Sequence, residues 1–303
     1  MFLGDEASMK KMLFILNPKA GQLKANRHLA EVIGLFNRAG YQVTVHVTSQ
    51  SGEAIRVAQE MAGQVDIVAC CGGDGTFNET VTGVLRSGAS VDMGYLPAGT
   101  TNDFANGLKI PTDVLKAAAA VVEGSAQEYD VGQFDDRYFS YVASFGAFTK
   151  ASYTTPQSAK NLLGHLAYVF SGIQELSQLR TVKLRFVLDG ERVIEDDFLF
   201  GAISNATSVG GILALDPETV DLRDGKFELL LIRNPKDLGE LADCIRALQT
   251  KKYDSRLITF ASASRVEVFA EDIMDWTLDG EHATGKNVVI QNLHKAIRLI
   301  RKG

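Results

Sequence analysis

The sequence predicts two domains: an α/β domain with a doubly wound parallel sheet, followed by a largely antiparallel β domain. Up to about residue 130, short apolar runs alternate with segments of helical periodicity, a pattern typical of repeated β-α units. From about Val131 onward, segments of alternating apolar and polar residues predominate, which favours antiparallel strands. A chain of 303 residues with 46% hydrophobic content is long enough to bury a core in each domain.

The first domain is predicted to cover residues 11–130. The apolar runs KMLFIL, YQVTVHV, DIVACC and MGYLP predict its strands. Helices are expected at residues 25–39, at residues 53–61, after GGDGT, and through the alanine run at residues 117–122. Residues 1–10 predict a disordered tail rather than a signal peptide, because the apolar patch that follows is too short and no small-residue cleavage pattern is present.

The second domain is predicted to cover residues 131–290. Strands are expected at TVKLRFVL, RVIEDDFLFGAIS, KFELLLI, ASRVEVFA, DWTL, NVVIQ and AIRLI, with helices at residues 161–176 and 237–248. Asp189-Gly190 and Asp279-Gly280 are predicted to form hairpin turns. The sequence does not decide whether the terminal strand, residues 291–303, stays with this domain or returns to the first.

Charge and cysteine content exclude several classes of function. The net charge is −6 and no Lys/Arg-rich block is present, so a nucleic-acid partner is not expected. The three cysteines, Cys70, Cys71 and Cys244, form no C-x-x-C spacing, which favours a reducing, cytoplasmic location. No apolar run approaches the roughly 18 residues of a membrane span, so membrane contact is expected only at the surface, with residues 150–163 as the candidate segment.

GGDGT, at residues 72–76, lies where a strand is predicted to end and a helix to begin. Glycines there allow a sharp turn, and the amides and partial positive charge of a helix N-terminus attract phosphate. The motif equally fits a simple turn in which Asp74 caps the helix. It is not a dinucleotide fingerprint, because position 78 is Asn, and it is not a Walker loop, because Thr76-Phe77 follows where Lys-Ser/Thr is required.

Two further loops follow predicted strands. PAGTTNDFA, at residues 97–105, gathers small, hydroxyl and amide side chains, and NPKAG, at residues 17–21, follows the first strand. By itself, Asn102-Asp103 is better interpreted as a helix cap. Three such loops at the carboxyl ends of strands in one parallel sheet indicate a ligand site, because ligands bind at that edge.

The carboxylates of the second domain also have two interpretations. Asp221 and Asp224 are three residues apart in an irregular segment, and two carboxylates with a backbone carbonyl suit Mg²⁺. Asp224-Gly225 is equally a good turn, which the spacing alone favours. Asp279 has the same surroundings in sequence as Asp189, so spacing gives it no special status. The five histidines show no metal-ligand spacing.

Taken together, the motifs occur in the order of a known family. They are NPKAG, CGGDGTFNE, LPAGTTNDFA, DVG, SFGAF, KNLLGHLAY, DLRDGKFEL and LDGE, from about Lys11 to the end of the chain. In this combination the chain resembles the bacterial diacylglycerol kinase catalytic-domain family, soluble lipid kinases related to sphingosine and ceramide kinases, and it is similar to the Gram-positive members. The resemblance implies a nucleotide-binding domain like that of NAD kinase and phosphofructokinase, and a C-terminal β-sandwich for the lipid substrate.

The resemblance also implies roles for individual residues. ATP contacts are expected from Asn17, Pro18, Lys19, Ala20, Gly21, Thr48, Gly73, Asp74, Gly75, Thr76, Phe77, Asn78, Glu79 and Thr100. Asp221, Asp224 and the carbonyl of Lys226 would hold a structural Mg²⁺, and Asp130 would join that metal to the nucleotide region. Asp279 would be the general base, although in this family the GGDGT aspartate, here Asp74, is the alternative.

The expected activity is transfer of the γ-phosphate of ATP to a lipid hydroxyl, with diacylglycerol as acceptor and phosphatidic acid as product. Phosphoryl transfer needs mainly alignment and charge neutralisation, which loop amides and Mg²⁺ supply. The alternatives are another lipid alcohol as acceptor, or a nucleotide- or lipid-binding regulator without turnover. Expected partners are ATP, the lipid alcohol, the inner face of the membrane during turnover, and a second copy of the chain.

Overall fold

The computed structural model describes residues 9–146, 181–206, 208–209, 213–214, 221–250, 253 and 256–302. The helix predicted at residues 161–176 and the candidate membrane segment at residues 150–163 lie outside this part of the chain. The chain divides into two compact units. Unit 1 comprises Met1–Tyr129 and Ala296–Gly303, and unit 2 comprises Asp130–Lys295.

Unit 1 is built on a parallel sheet. Its strands are β1 (Lys10–Leu16), β2 (Tyr41–Val47), β3 (Ile67–Gly72) and β4 (Asp92–Pro97), in the spatial order β4-β3-β1-β2. β1 runs parallel to β2 and β3, and β3 runs parallel to β4. Every residue of β3 is buried, as expected for a central strand covered on both faces.

Helices connect these strands. They are α1 (Lys24–Arg27), α2 (Leu29–Arg38), α3 (Glu53–Met61), α4 (Asp74–Ser87), α5 (Asp103–Gly107) and α6 (Val114–Glu123). The single helix predicted at residues 25–39 is wrong, because His28 leaves the helical conformation (φ −107°, ψ 6°) and separates α1 from α2. Phe36 of α2 and Val121 of α6 share one core with Phe14 of β1. The predicted doubly wound α/β architecture is confirmed.

Unit 2 consists mainly of antiparallel strands. They are β5 (Ser125–Phe134), β6 (Arg137–Phe139), β7 (Val142–Gly146), β8 (Val182–Leu188), β9 (Arg192–Ser204), β10 (Ser208–Val209), β11 (Leu213–Ala214), β12 (Phe227–Arg233), β13 (Ile258–Ala263), β14 (Arg265–Leu278) and β15 (Glu281–Arg301), with the helix α7 (Leu238–Thr250). The spatial order is β13-β12-β9-β7-β14-β15, and β8 pairs with both β9 and β14. The predicted antiparallel C-terminal region is confirmed.

Long strands give unit 2 its aromatic core. β14 pairs with β8 at residues 266–270 and with β7 at residues 276–278, so one strand spans the positions of two neighbours. The ring of Phe145 lies 5.0 Å from that of Trp276 and 6.0 Å from that of Phe186, measured between centroids. All three side chains are fully buried.

Several strand predictions were incomplete. ASRVEVFA and DWTL belong to one strand, β14, which continues through an irregularity between Phe269 and Met274. NVVIQ and AIRLI likewise belong to β15. The strands β5, β6, β7 and β13 were not predicted, because β6 is only three residues long and the others are interrupted by Gly, Ala and Ser.

β5 and β15 each belong partly to both units. The end of β15 pairs in parallel with β4, through Arg298 opposite Asp92 and Leu299 opposite Met93. Residues 296–303 are therefore part of unit 1. None of the helices in the described part of the chain has the length and hydropathy that crossing a bilayer requires.

Candidate active site

Three loops of unit 1 meet at the carboxyl edge of the parallel sheet, after β1, β3 and β4. The backbones of Gly73 and Gly99 touch, since a Cβ atom added to Gly99 would lie 2.6 Å from the Cα of Gly73. The first loop joins them, because a Cβ atom at Gly21 would lie 1.8 Å from the carbonyl oxygen of Ala98. Only glycine permits such close approaches. NPKAG, GGDGT and PAGTTNDFA thus form one surface.

Hydrogen bonds fix the first loop against the second. Asn17 Nδ2 donates to Thr76 Oγ1 (3.0 Å), and the NH of Asn17 donates to the carbonyl of Cys71 (2.9 Å). Asn17 Oδ1 also accepts the NH of Lys19 (3.0 Å), which turns the chain back within NPKAG. Pro18 and Ala20 lie in the same turn, so five of the predicted ATP contacts are held next to GGDGT.

The helix α4 begins at this surface. Its first intrahelical hydrogen bond runs from the NH of Phe77 to the carbonyl of Gly73 (3.1 Å). The amides of a helix's first turn have no intrahelical acceptor, and together with the helix dipole they attract anions. Asp74, Gly75 and Thr76 lie in that turn. The arrangement can bind phosphate.

Asp74 caps a helix, but not its own. Its two carboxylate oxygens accept the NH groups of Asp103 (3.1 Å) and Phe104 (3.2 Å), the first two residues of α5. Burial raises the pKa of Asp74 despite these amides. Burial and the charge of Asp74 also raise the pKa of Asp103. The loops after β3 and β4 therefore share a pair of carboxyl groups.

Thr48 and Glu79 hold the loop after β2. The NH and the hydroxyl of Thr48 both donate to the carbonyl of Leu16 (2.9 and 3.3 Å). Glu79 Oε1 accepts the hydroxyl of Ser51 (3.0 Å) and the NH of Gly52 (2.8 Å). Both predicted ATP contacts thus order the backbone next to the loop site.

The last three predicted contacts differ in exposure. Phe77 is fully buried and stacks between Tyr95 and Phe104, with ring centroids 4.5 and 4.6 Å away. Its side chain stabilises the loops through this stacking. Asn78 lies on α4, and Thr100 is exposed in the loop after β4.

Asp279 occupies the hairpin between β14 and β15 in unit 2. It has a φ of 49°, Gly280 has a φ of 89°, and the predicted turn is confirmed. The carboxylate accepts the NH groups of Ser140, Tyr141 and Val142. Only 7% of Asp279 is exposed. Amide donors of this kind suit an ionised carboxylate, and they fix its direction.

The predicted metal ligands lie in one turn of unit 2. The NH of Asp224 donates to the carbonyl of Asp221 (3.4 Å), and the NH of Lys226 donates to Asp224 Oδ1 (2.9 Å). Burial and then the charges of Asp224 and Asp221 raise the pKa of Glu228 to about 8. Asn292 Nδ2 donates to the carbonyl of Lys226 (3.1 Å), while the buried Oδ1 of Asn292 has no partner among the described residues. Such a surplus of hard oxygen atoms fits Mg²⁺.

The protein supplies only part of a coordination shell here. Within the described ranges, no three His, Cys, Asp or Glu side chains are grouped closely enough to form a metal site alone. Carbonyl oxygens and water would complete the shell, which is usual for Mg²⁺.

Asp130 organises this turn from inside unit 2. It is 1% exposed, and its Oδ2 accepts the NH of Gly225 (2.7 Å). Its Oδ1 accepts the NH of Lys295 (2.7 Å) and contacts His294 Nδ1 (3.1 Å). Asn205 Nδ2 donates to its carbonyl (2.7 Å). Asp130 therefore holds the turn that contains the predicted metal ligands, and its link to a metal stays a prediction.

Three site residues were missed in the sequence. Asp103 was interpreted only as part of a cap, although it pairs with Asp74. Glu228 gave a usable signal, because it is a single charged residue in the otherwise apolar run FELLLI. Asn292 gave none, since its partner Lys226 is 66 residues away.

Comparison with known proteins agrees with this geometry. Residues 11–134 match the family model of the diacylglycerol kinase catalytic domain, and residues 142–301 match the YegS C-terminal NAD kinase beta sandwich-like domain. The chain is 35% identical to diacylglycerol kinase of Bacillus subtilis over 298 residues, covering 96% of each chain. It is 30% identical to diacylglycerol kinase of Staphylococcus aureus (strain MRSA252), covering 95% of this chain and 91% of the relative.

Solved structures show the same fold. A diacylglycerol kinase structure from Bacillus anthracis matches with a TM-score of 0.75 at 23% identity, covering 97% of both chains. An NAD kinase from Archaeoglobus fulgidus in complex with ATP matches with a TM-score of 0.50 at 11% identity, covering 96% of this chain and 94% of that one.

The family models and the diacylglycerol kinase relatives define the class of the chain as a lipid kinase. The chain belongs to the diacylglycerol kinase family. The predicted family, fold class and enzyme class are thereby confirmed.

Proposed function

We propose that this protein transfers the γ-phosphate of ATP to the free hydroxyl of diacylglycerol and so forms phosphatidic acid. The relatives in Bacillus subtilis and Staphylococcus aureus are named diacylglycerol kinases, and the chain aligns with them along nearly its whole length. The observation that carries the proposal is the contact of three glycine-containing loops beside the N-terminus of α4.

In this proposal the loops of unit 1 bind the phosphates of ATP. The first-turn amides of α4 stabilise the negative charge, while Asn17–Gly21 and Thr100 line the same surface. Thr48, Asn78 and Glu79 complete the nucleotide site. Phe77 contributes by packing beneath it.

We assign a structural Mg²⁺ to the turn that contains Asp221, Asp224 and the carbonyl of Lys226. The bound ion would supply positive charge where the carboxylates are crowded. Asp130 and Asn292 would hold the turn in place through the NH of Gly225 and the carbonyl of Lys226.

We assign the role of general base to Asp279. It would accept the proton of the lipid hydroxyl while the new oxygen–phosphorus bond forms and ADP leaves with the old bridging oxygen. Its three amide partners orient the carboxylate before the substrate arrives. Asp74 is the alternative base, and its bonds to α5 support a role in ordering the ATP loops instead.

The two assignments differ in kinetic outcome. Asp74→Asn is expected to raise the KM for ATP, because the cap of α5 is weakened. Asp279→Asn is expected to lower kcat while ATP binding persists. A normal KM with a strongly reduced kcat in Asp74→Asn would transfer the role of base to Asp74.

The lipid acceptor requires work at a membrane surface. We therefore place the protein in the cytoplasm with transient contact to the inner face of the membrane, and residues 150–163 stay the candidate segment. A second copy of the chain stays a candidate partner, which sedimentation equilibrium would test.

A direct assay tests the activity. The protein is incubated with labelled ATP, Mg²⁺ and diacylglycerol, monoacylglycerol, a sphingoid base or undecaprenol in mixed micelles. Labelled phosphatidic acid is expected. Label in only one of the other lipids would show that this lipid is the acceptor and that the protein is a lipid kinase. No labelled lipid with any of the four would overturn the kinase proposal and favour a nucleotide-binding regulator.

A further inference from the structure

A cavity of about 200 Å³ lies within unit 1, apart from the loop site. Its lining comes from Tyr95 of β4, from residues 108–111 between α5 and α6, from α6, and from residues 300–302 at the end of β15. β4 and β15 pair only at Asp92 and Met93, so the two strands separate beyond this point. α6 contributes only Ala117, Ala120 and Val121, and these small side chains leave the space between the strands open.

The walls of this cavity are apolar and basic, with no acidic residue among them. Leu108, Ile110, Pro111 and Ile300 supply apolar surface, and Lys109, Arg301 and Lys302 supply positive charge. None of the residues that we assign to ATP lines the cavity. Its contents are therefore a question separate from the kinase reaction.

Arg301 is a half-buried cation in the lining of this cavity. Its terminal nitrogen donates to the hydroxyl of Tyr129 (3.2 Å), but its Nε is buried and has no hydrogen-bond partner among the described residues. Within the same part of the chain, no carboxylate forms an ion pair with Arg301 or Lys109. A half-buried guanidinium group without a carboxylate partner in the described ranges can bind an anion in the cavity.

Lys302 differs from Arg301. Its Nζ lies 2.7 Å from Glu123 Oε2, and hydrogen bonding to this carboxylate raises the pKa of Lys302. The charge of Lys302 is therefore already compensated. The two neighbouring cations provide a matched pair in which, among the described residues, only Lys302 has a carboxylate partner.

The conformation of Lys109 adds a second observation. Lys109 has a φ of 56°, and its NH donates to the carbonyl of Asn106 (3.1 Å) at the end of α5. Glycine is the usual residue at such a left-handed position after a helix, because a side chain is strained there. Glycine would be less strained at this position, but it would add no charge. Lys109 adds a positive charge to the lining of the cavity.

The size of the cavity limits the occupant. A water molecule accounts for about 30 Å³ of liquid, so the cavity has room for roughly seven non-hydrogen atoms. A carboxylate or phosphate group and a short alkyl segment fill that volume. The apolar walls suit the alkyl carbons, and the guanidinium group of Arg301 suits an anionic oxygen.

We propose that this cavity is a binding site for the anionic end of a small amphiphile, a carboxylate or phosphate monoester with a short alkyl segment, recognised by Arg301. Neither the residues that we assign to ATP nor Asp279 lines this site. A free fatty acid and an alkyl phosphate share the required chemistry, so the test includes one arm for each.

Isothermal titration calorimetry on the full chain tests the site. Pentanoate and ethyl phosphate, which fit a space for about seven non-hydrogen atoms, are the probes, and pentanol and inorganic phosphate are the controls that lack either the charge or the alkyl segment. For about seven buried atoms, we expect saturable binding of at least one probe with a Kd on the order of 1 mM. The probe with the lower Kd identifies carboxylate or phosphate as the preferred group.

Matched variants assign the interaction to Arg301. Arg301→Gln is expected to raise the Kd of the probe that binds by at least about tenfold, since a charge-assisted hydrogen bond is lost. Lys302→Gln is expected to change its Kd by less than about threefold, because Glu123 already compensates that charge. Ala120→Leu, which fills the cavity, is expected to abolish binding; if that variant does not fold, the Arg301 and Lys302 pair decides the question.

Three results would overturn the proposal. The first is no saturable binding of either probe up to about 20 mM, which is roughly twenty times the expected Kd. The second is equal binding of pentanol and the anionic probes. The third is equal weakening of probe binding in Arg301→Gln and Lys302→Gln. The first excludes a site, and the other two exclude recognition of the anion by Arg301.

Discussion

The tetrapeptide Leu-Asp-Gly-Glu occurs twice in unit 2, at residues 188–191 and 278–281, and it folds in the same way both times. Asp189 and Asp279 have φ values of 51° and 49°, and the glycines that follow have φ values of 77° and 89°. The NH of Asp189 donates to the carbonyl of Arg265, and the NH of Asp279 donates to that of Val142 (2.9 Å each). Both carboxylates accept amides near the start of the neighbouring strand.

The two hairpins differ in their surroundings. Asp189 is exposed and accepts the NH groups of Ser264 and Arg265, whereas Asp279 is buried. Next to Asp279, the hydroxyls of Ser140 and Thr277 are buried and have no partner among the described residues. Identical sequence thus encodes one local device, a turn with an amide-binding carboxylate. Burial by other strands is what makes one copy a candidate catalytic group.

The largest expected difference between the hairpins is in turnover. We predict that Asp279→Asn lowers kcat for phosphate transfer to lipid by at least about a hundredfold while ATP binding persists, because the general base is lost. Asp189→Asn makes the same chemical change in the matched hairpin and should leave kcat within about twofold. Steady-state kinetics in mixed micelles measures both. Near-normal turnover in Asp279→Asn, or the same loss in both variants, would remove Asp279 from the mechanism.

The second-largest expected difference between the hairpins is in the free energy of unfolding. Asp279→Ala leaves three amides without their acceptor in a buried place, and we expect a loss of about 3 kcal/mol in the free energy of unfolding. In Asp189→Ala water replaces the carboxylate, and we expect a loss of about 1 kcal/mol. Urea denaturation gives both values. Equal losses would show that burial does not distinguish the two capping carboxylates.

Glu228 sharpens the comparison, because it is buried without amides from a neighbouring strand in the described part of the chain. Its pKa is raised to about 8 from 4.5, so the folded state holds a proton that the unfolded state has released between these values. Stability should therefore fall as the pH rises from about 4.5 to 8.

The variant Glu228→Gln checks this contribution. Allowing for solvent screening, we expect it to remove about 2 kcal/mol of the loss in unfolding free energy between pH 5 and pH 8.5. Urea denaturation at several pH values in EDTA measures it, so that no divalent ion compensates Asp221 and Asp224. A pH profile identical to that of the unchanged protein would show that Glu228 is ionised in the folded state.

The smallest expected effect tests the equivalence of the two turns. Gly190 and Gly280 both have a positive φ, and no atom lies within 4 Å of a Cβ added to either. Gly190→Ala and Gly280→Ala should each destabilise the protein by about 1 kcal/mol through backbone strain alone. Thermal unfolding compares them. A clearly larger effect at one glycine would show that the hairpins are not equivalent in their backbones.

Sequence patterns located most of the elements, and the reasons for the failures are tertiary. The runs of large apolar residues identified β1 to β4. β1, β3 and β4 are buried along most of their length, whereas β2 lies at the edge of the sheet and is buried only at Tyr41. β7 and β13 were not predicted because Ala, Ser and Gly give little hydrophobic periodicity. Pairing with longer strands stabilises these two strands instead. Likewise, His28 interrupts a helix whose periodicity continues on both sides.

The loop site could be anticipated only in part. GGDGT and its neighbours follow strands, so their meeting at one sheet edge was predictable. The amides that donate to Asp74 are 29 and 30 residues away, and those that donate to Asp279 are 137 to 139 residues away. No local pattern reports such partners, so spacing could not rank the two LDGE sequences, and only the family resemblance singled out Asp279.

The return of β15 to β4 has a consequence for synthesis on the ribosome. Asp92 and Met93 are translated some two hundred residues before their partners Arg298 and Leu299, so the outer edge of β4 has to wait uncovered while unit 2 is made. Uncovered strand edges recruit other strands, and nascent chains meet this hazard at high local concentration. A fragment ending at Tyr129 would carry the same open edge permanently. It should aggregate unless residues 296–303 are supplied as a peptide.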